Sequence, residues 1–287
     1  MSQQTEKDAG DSQEWQGEHW SVVGPSWRGI ENVRHLVIFG DSYSQTQPHG
    51  YWFKPTDEEP LGIRYPGLTS AGGANWVGHL VYERPHPMLV YNYAKSGHKV
   101  AGIRDQIQAK FSGTHPPSET LAPETSMFMT WVGINDLASS ADVGRMIDNL
   151  FVLQQYLYDK GARNFLFIDV PPVDRSPAYR NLTKRDGPSR MVLWNIELER
   201  RLRAFAAEKE AAGGPITAAY FSSHKVFTTF LDDPEEYGFP KSDVRRSGGE
   251  IWVDDLHPTP AVHAIIAKEL DDMLNGIAVT TSQTDNI

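Results

Sequence analysis

The sequence predicts an α/β chain: a three-layer α/β/α sandwich around a central, mainly five-stranded parallel sheet. Short apolar runs of strand length recur at residues 35–39, 88–94, 126–132, 164–170 and 216–221. Between most of them lie longer segments whose apolar residues fall at helical spacing. That alternation is the signature of βαβ units, with helices covering both faces of a parallel sheet. No internal repeat, low-complexity tract or linker interrupts it. Residues 19–276 are therefore read as one domain, between a polar disordered tail at 1–18 and a flexible tail at 277–287.

The first strand is the continuous run Leu36-Val37-Ile38-Phe39, stopped by Gly40. Before it, Trp15, Trp20 and Trp27 punctuate a segment with little periodicity, read as packing against the domain edge. After it, residues 45–73 are rich in Pro and Gly and carry Tyr51, Trp52, Phe53 and Tyr65. A loop this long is usually functional or disordered, and its aromatics suit a flap over substrate. Ala74 to Tyr82 places Trp76, Val77 and Leu80 on one helical face, and Leu89, Tyr91 and Tyr93 alternate as a second strand.

Ile103 and Ile107 give Val100 to Phe111 a helical period, and Met127, Phe128, Met129 and Trp131 make a third strand. The segment from Asp142 to Lys160 is amphipathic, with Val143, Met146, Ile147, Leu150, Leu153 and Leu157 in phase and Gly161 as the stop. Asn164 to Val170 is a fourth strand, ended by Pro171-Pro172. Met191, Trp194, Leu198, Leu202 and Phe205 mark a long helix over 188–212, Ile216 to Phe221 a fifth strand, and 260–274 a last helix.

Composition excludes several function classes. The 27 basic and 37 acidic residues leave a net charge of −10, which disfavours nucleic acid or an anionic membrane as partner. There are no cysteines, hence no disulfide, no thiolate nucleophile and no Cys-based zinc site. No run approaches the ~20 apolar residues of a membrane span. The first 18 residues lack the basic and apolar regions of a secretion signal. A cytoplasmic location is the first expectation. Asn181-Leu182-Thr183 fits a glycosylation sequon, which matters only in a secreted protein.

The chemistry concentrates at strand ends. Ser42, in Gly40-Asp41-Ser42-Tyr43, follows the first strand, where open α/β sheets place their ligands. Gly97 follows the second and Asn135 the third, so all three fall on one edge of a parallel sheet. A serine nucleophile needs a base and a group to orient that base. Acyl transfer also needs donors for the developing oxyanion. The N–H groups of Ser42 and Gly97 and the Asn135 amide are the candidate donors, glycine being suited because no Cβ shields its N–H.

Asp254-Asp255-Leu256-His257 supplies the base, with Asp254 preferred over Asp255 as its orienter because a three-residue step folds the carboxylate onto Nδ1. Asp254, Asp255, His257 and His263 also raise a metal site, disfavoured because His263 falls along the final helix. Neither a Gly-x-Ser-x-Gly elbow nor a glycine-rich nucleotide loop occurs. Tyr43, Trp131 and Trp252, each close in sequence to one of these positions, are expected to contact substrate, with core packing as the competing reading.

Gly40-Asp41-Ser42, Gly97, Gly133-x-Asn135-Asp136 and Asp254-x-x-His257 resemble the four blocks of the SGNH, or GDSL-type, hydrolase superfamily. Further stretches narrow the resemblance to fungal carbohydrate esterase family 16: Gly73-Ala-Asn75-Trp76-Val77, Asn92-Tyr-Ala94, Gly161-Ala-Arg163-Asn164, Val170-Pro171-Pro172-Val173-Asp174-Arg175, Trp194-Asn195 and Ile251-Trp252-Val253-Asp254. It runs from about His35 to Leu270.

The resemblance implies a flavodoxin-like SGNH fold and acetylesterase activity on partly acetylated sugars and xylo-oligosaccharides. It implies Ser42 as nucleophile, His257 as base with Asp254 behind it, and Gly97 and Asn135 as oxyanion donors. It implies no cofactor and no metal. Secreted relatives make an extracellular location the second expectation. A lipase or phospholipase is the alternative within the class. A catalytically silent carbohydrate-binding protein is the alternative outside it.

Overall fold

Each strand run becomes a strand because its residues are apolar on both faces, the pattern of a sheet covered above and below. In the computed structural model, which describes residues 17–48, 50–138, 141–179 and 190–279, the strands are β1 (Trp20–Val22), β2 (His35–Gly40), β3 (Leu89–Asn92), β4 (Ser126–Trp131), β5 (Asn164–Ile168) and β6 (Thr217–Phe221). Every residue of β2 to β6 is buried. They form one six-stranded sheet in the order β1-β6-β5-β4-β2-β3. β2 to β6 are parallel, as expected, and β1 adds an antiparallel edge on β6.

The helices are α1 (Trp76–Tyr82), α2 (Val100–Arg104), α3 (Val143–Asp159), α4 (Arg190–Ala211), α5 (Ser223–Asp232) and α6 (Pro260–Gly276). α2 runs on into wider π-type turns over Asp105–Thr114. The chain steps one way across the sheet from β2 to β3 and the other way through β4, β5 and β6. Right-handed crossovers therefore lay α1 on one face and α2, α3 and α4 on the other. The contacts agree: α3 packs on α2 and α4, whereas α1 packs on α6, which also meets α5. The reversal opens a crevice beyond the carboxyl ends of β2 and β4, the neighbours that carry Ser42 and Asn135.

Two elements were not predicted. β1 has three residues, too few for a period, and Trp20 stacks on Tyr220 of β6 at 6.0 Å, so edge packing is the right reading of that tryptophan. α5 buries Val226, Phe227, Phe230 and Leu231 in ten residues and is capped by Ser222, whose side chain accepts the Lys225 N–H. Residues 45–73 form no strand or helix among those described. Their inner side is anchored by Leu61 and by Gln47, whose Nε2 donates to Leu61 O at 2.7 Å. Tyr51, Phe53, Tyr65 and Leu68 stand exposed. The sequon at 181–183, Trp15 and most of both predicted tails lie outside the described residues, as do Pro188 and Ser189 at the start of the predicted long helix.

Candidate active site

Ser42 sits in the turn that β2 enters at its carboxyl end and is 5% exposed. The turn is tightened by Ser44 and Gln45, whose N–H groups both donate to Asp41 O, and by the Tyr43 N–H, which donates to the Asp41 carboxylate at 3.0 Å. Two buried amides hold the turn from behind. Gln106 brackets Gly40, accepting its N–H at 2.9 Å and donating to its carbonyl at 2.7 Å. Asn75 caps α1 by accepting the N–H groups of Val77 and Gly78, while its Nδ2 donates to Tyr43 O and Gln45 O.

Across the crevice, the 254–257 loop presents His257. Its Nε2 lies 2.8 Å from Ser42 Oγ and its Nδ1 2.7 Å from Asp254 Oδ2. Asp254 Oδ1 accepts the backbone N–H groups of Leu256 and His257, so the carboxylate folds its own loop around the imidazole. Burial works against ionisation of Asp254, but those N–H groups and the imidazole outweigh it and hold the carboxyl below its ordinary value. With Asp254 ionised, Nδ1 keeps the ring proton and Nε2 is the acceptor for the serine hydroxyl. Asp255 is not on the ring; its carbonyl accepts the Ala178 N–H.

The candidate donors Gly97 and Asn135 are tied to the Ser42 turn through its neighbours Gln45 and Asp41. Gly97 lies in an exposed turn after β3 at φ +77°, a left-handed conformation that costs glycine least. The Ser96 N–H beside it donates to Gln45 Oε1 at 2.6 Å, tying this turn to the Ser42 turn. Asn135 follows β4 after Gly133, at φ +133°, where a Cβ would collide with the Trp194 ring and Val170. Its Nδ2 donates to His98 O at 3.0 Å and to Asp41 Oδ2 at 3.3 Å. The amide thus lies between the Ser42 turn and the Gly97 turn, held by an ordinary bond to His98 O and a longer one to Asp41. Among the described residues, the N–H groups of Ser42 and Gly97 meet no protein acceptor.

The expected substrate contacts need correction. Tyr43, Trp131 and Trp252 are all 0–1% exposed and belong to the core. Trp252 donates its indole N–H to Val244 O and packs on Phe227. Trp131 is enclosed by Tyr43 and Trp76. Tyr43 does something different: its hydroxyl donates to Leu256 O at 2.7 Å and its ring lies 6.0 Å from the His257 ring. It connects the Ser42 turn directly to the His257 loop. Strand-end aromatics in a covered sheet point into the core, and proximity in sequence does not override that.

His263 is buried in α6, with its ring 6.0 Å from that of Tyr43. Burial drops its imidazole to about 3. Among the described residues, no cluster of three or more His, Cys, Asp or Glu side chains is placed to hold a metal ion. Sequence reasoning missed Gln106, Gln45 and the Asp41–Asn135 contact. Gln106 left a signal, since it shares the buried helical face of Ile103 and Ile107 and is itself 1% exposed.

Comparison with known proteins identifies the family. The family model described as GDSL-like lipase/acylhydrolase matches residues 36–270. An acetylesterase of Thermothelomyces thermophilus is 32% identical over 274 residues, covering 85% of this chain and 89% of the relative. Among solved structures, an α/β hydrolase from the metagenome of Lake Arreo superposes at a TM-score of 0.52 with 17% identity, covering 88% of this chain and 98% of that one. A G-D-S-L family lipolytic protein of Veillonella parvula does so at 0.50 with 15% identity, covering 85% and 99%. At those identities the superpositions speak for the fold.

Proposed function

Because this chain belongs to the GDSL-like lipase/acylhydrolase family, and is a carboxylic ester hydrolase, we propose that it removes short acyl groups, chiefly acetyl, from oxygen on sugars or xylo-oligosaccharides. The observation that carries the reading is the unbroken relay from Asp254 through His257 to Ser42, at 2.7 and 2.8 Å. Ser42 Oγ attacks the ester carbonyl as His257 Nε2 takes its proton. The negative charge that develops on the carbonyl oxygen is met by the N–H groups of Ser42 and Gly97 and by Asn135 Nδ2. Collapse of the tetrahedral intermediate expels the sugar alkoxide, protonated by His257, and leaves an acyl ester on Ser42. Water, deprotonated by the same imidazole, attacks that ester; Ser42 leaves with the returned proton and acetate departs.

The preference for a short acyl group rests on the named acetylesterase relative and on enclosure of the site's aromatics, with Tyr43, Trp131 and Trp252 buried rather than lining an acyl trench. The test is hydrolysis of p-nitrophenyl acetate, butyrate, octanoate and laurate, followed by acetylated xylo-oligosaccharides. A steep preference for acetate is expected. Preference for octanoate or longer would replace this reading with a lipase-type acylhydrolase.

A further inference from the structure

Next to the candidate oxyanion donors lies a groove of about 450 Å³ between the start of α2 and the face of α3 that packs toward it. Its size falls in the range of small-ligand sites, about 300–1,000 Å³. Val100, Met146 and Leu153 form its apolar part, and Lys99 and Arg104 line it with positive charge. The groove is joined to the reacting centre through the backbone. Asn135 Nδ2 donates to His98 O, and the groove continues from the following residue on each side, Lys99 and Asp136. The groove thus begins one residue along the chain from each partner of the Asn135–His98 hydrogen bond.

The charge is distinctive for this chain. The protein carries a net charge of −10, yet residues 84–104 contain no acid while supplying Lys95, Lys99 and Arg104 around Gly97. Among the described residues neither Lys99 nor Arg104 makes an ion pair within 4 Å, although the Lys99 ammonium acts through space on the Asp136 carboxyl and partly offsets the effect of its burial. The acid that lines the groove, Asp136, is 2% exposed and sets both carboxyl oxygens on the Val100 N–H, at 3.2 and 3.3 Å. Burial lifts that carboxyl to about 6, which weakens its opposition to an incoming anion below neutrality. Asp142, at the start of α3, is turned to the Arg145 N–H.

We propose that this groove binds an anionic group on the alcohol half of the ester, so that the preferred substrate is an acylated sugar bearing a carboxylate. Lys99 and Arg104 take the anion, while Val100, Met146 and Leu153 take the apolar face of the ring that carries it. The inference rests on the esterase reading for its reaction but not for its binding site.

Both can be separated in one set of measurements. Ser42→Ala protein, which does not turn over, is titrated calorimetrically with a xylo-oligosaccharide bearing one uronic acid, with its neutral counterpart and with xylose phosphate. The uronic acid oligosaccharide is expected to bind about tenfold more tightly than the neutral one at low salt, an advantage lost when Lys99→Ala and Arg104→Ala are added. Equal affinity for the acidic and neutral sugars, or an advantage that survives both substitutions, would overturn the proposal. Tighter binding of the phosphate than of the uronic acid would overturn the carboxylate assignment. Separately, Lys99→Ala/Arg104→Ala enzyme is assayed with p-nitrophenyl acetate, where unchanged kcat/KM is expected. Wild-type enzyme inert on every ester would defeat the esterase reading while leaving the binding result to stand or fall alone.

Discussion

Beyond β2 and β4, Ser42, His257 and Asp254 form an open chain; beyond β5 and β6, Asp169, Ser222, Ser223 and His224 gather similar residue types into a closed cluster. Asp169 is fully buried and accepts from Ser222 Oγ at 2.7 Å, Ser223 Oγ at 2.8 Å, the His224 N–H at 2.9 Å and Tyr220 OH at 3.1 Å. Ser222 spends its proton on the Asp169 carboxyl, and Ser223 shares its own between that carboxyl and the Asp169 carbonyl at 2.6 Å, so both serines are ties with no base to activate them. Ser42 instead faces the His257 imidazole at 2.8 Å, and Asn135 reaches its neighbour Asp41. Residue type does not separate a catalytic cluster from a structural one; the destination of each proton does.

Breaking each cluster in turn exposes the difference. Ser42→Ala should lower kcat on p-nitrophenyl acetate by about 10⁴-fold or more with the thermal midpoint held. Asn135→Ala should lower kcat by about 10²–10³-fold, the effect of losing one oxyanion donor; an unchanged kcat would remove it from the mechanism. Ser223→Ala should behave oppositely, leaving kcat intact while costing about 1–3 kcal/mol in denaturant unfolding, because a buried acceptor loses its donor.

Tyr43→Phe sharpens the comparison from the catalytic side. It keeps the ring against His257 but loses the bond to Leu256 O, loosening the base's loop rather than the core. The expected result is a kcat about tenfold lower with KM little changed, equivalent to about 1.4 kcal/mol. A raised KM at full kcat would return Tyr43 to a substrate-contacting role.

The smallest effect is on stability against pH. Burial lifts Asp41 and Asp169 to about 7 and Asp136 to about 6, above the ~3.9 of an unfolded aspartate. Between about 4 and 7 the native state therefore holds protons that the unfolded state has lost, and stability falls as pH rises. Burial drops His224 to about 4 and His263 to about 3, so between there and ~6.5 the unfolded state binds protons that the native state refuses, and stability rises with pH. The two oppose each other up to about 6.5, and above it only the acids act. Calorimetry should show the thermal midpoint falling from pH 6.5 to 8, less steeply in Asp169→Asn. A flat wild-type profile would mean that these carboxyls are already ionised at pH 6.5.

The open cluster was legible in the sequence and the closed one was not. Ser42, Gly97 and Asn135 follow strand runs that apolar composition reveals, and a parallel sheet brings such ends to one edge regardless of their separation in the chain. Asp254 and His257 are three residues apart, close enough for one loop to set their contact. Asp169 follows a strand as clearly, but its partners sit around the start of an unpredicted ten-residue helix. Tyr43, Trp131 and Trp252 were misread for a related reason: exposure is decided by what packs on a side chain, here α6 on Tyr43, α1 on Trp131 and α5 on Trp252, and a linear sequence does not display that packing. Gln106 lies between, polar on an apolar helical face and readable only once β2 is known to need a partner there.

The most direct measurement is covalent labelling of the folded protein with a fluorophosphonate, followed by peptide mass mapping of the adduct. A nucleophile activated by His257 must react, and serines that spend their protons on Asp169 must not. The expected result is stoichiometric modification of Ser42 alone, abolished in His257→Ala. Modification of Ser222 or Ser223, or none on folded protein, would contradict the assignment of the open cluster as the catalytic one.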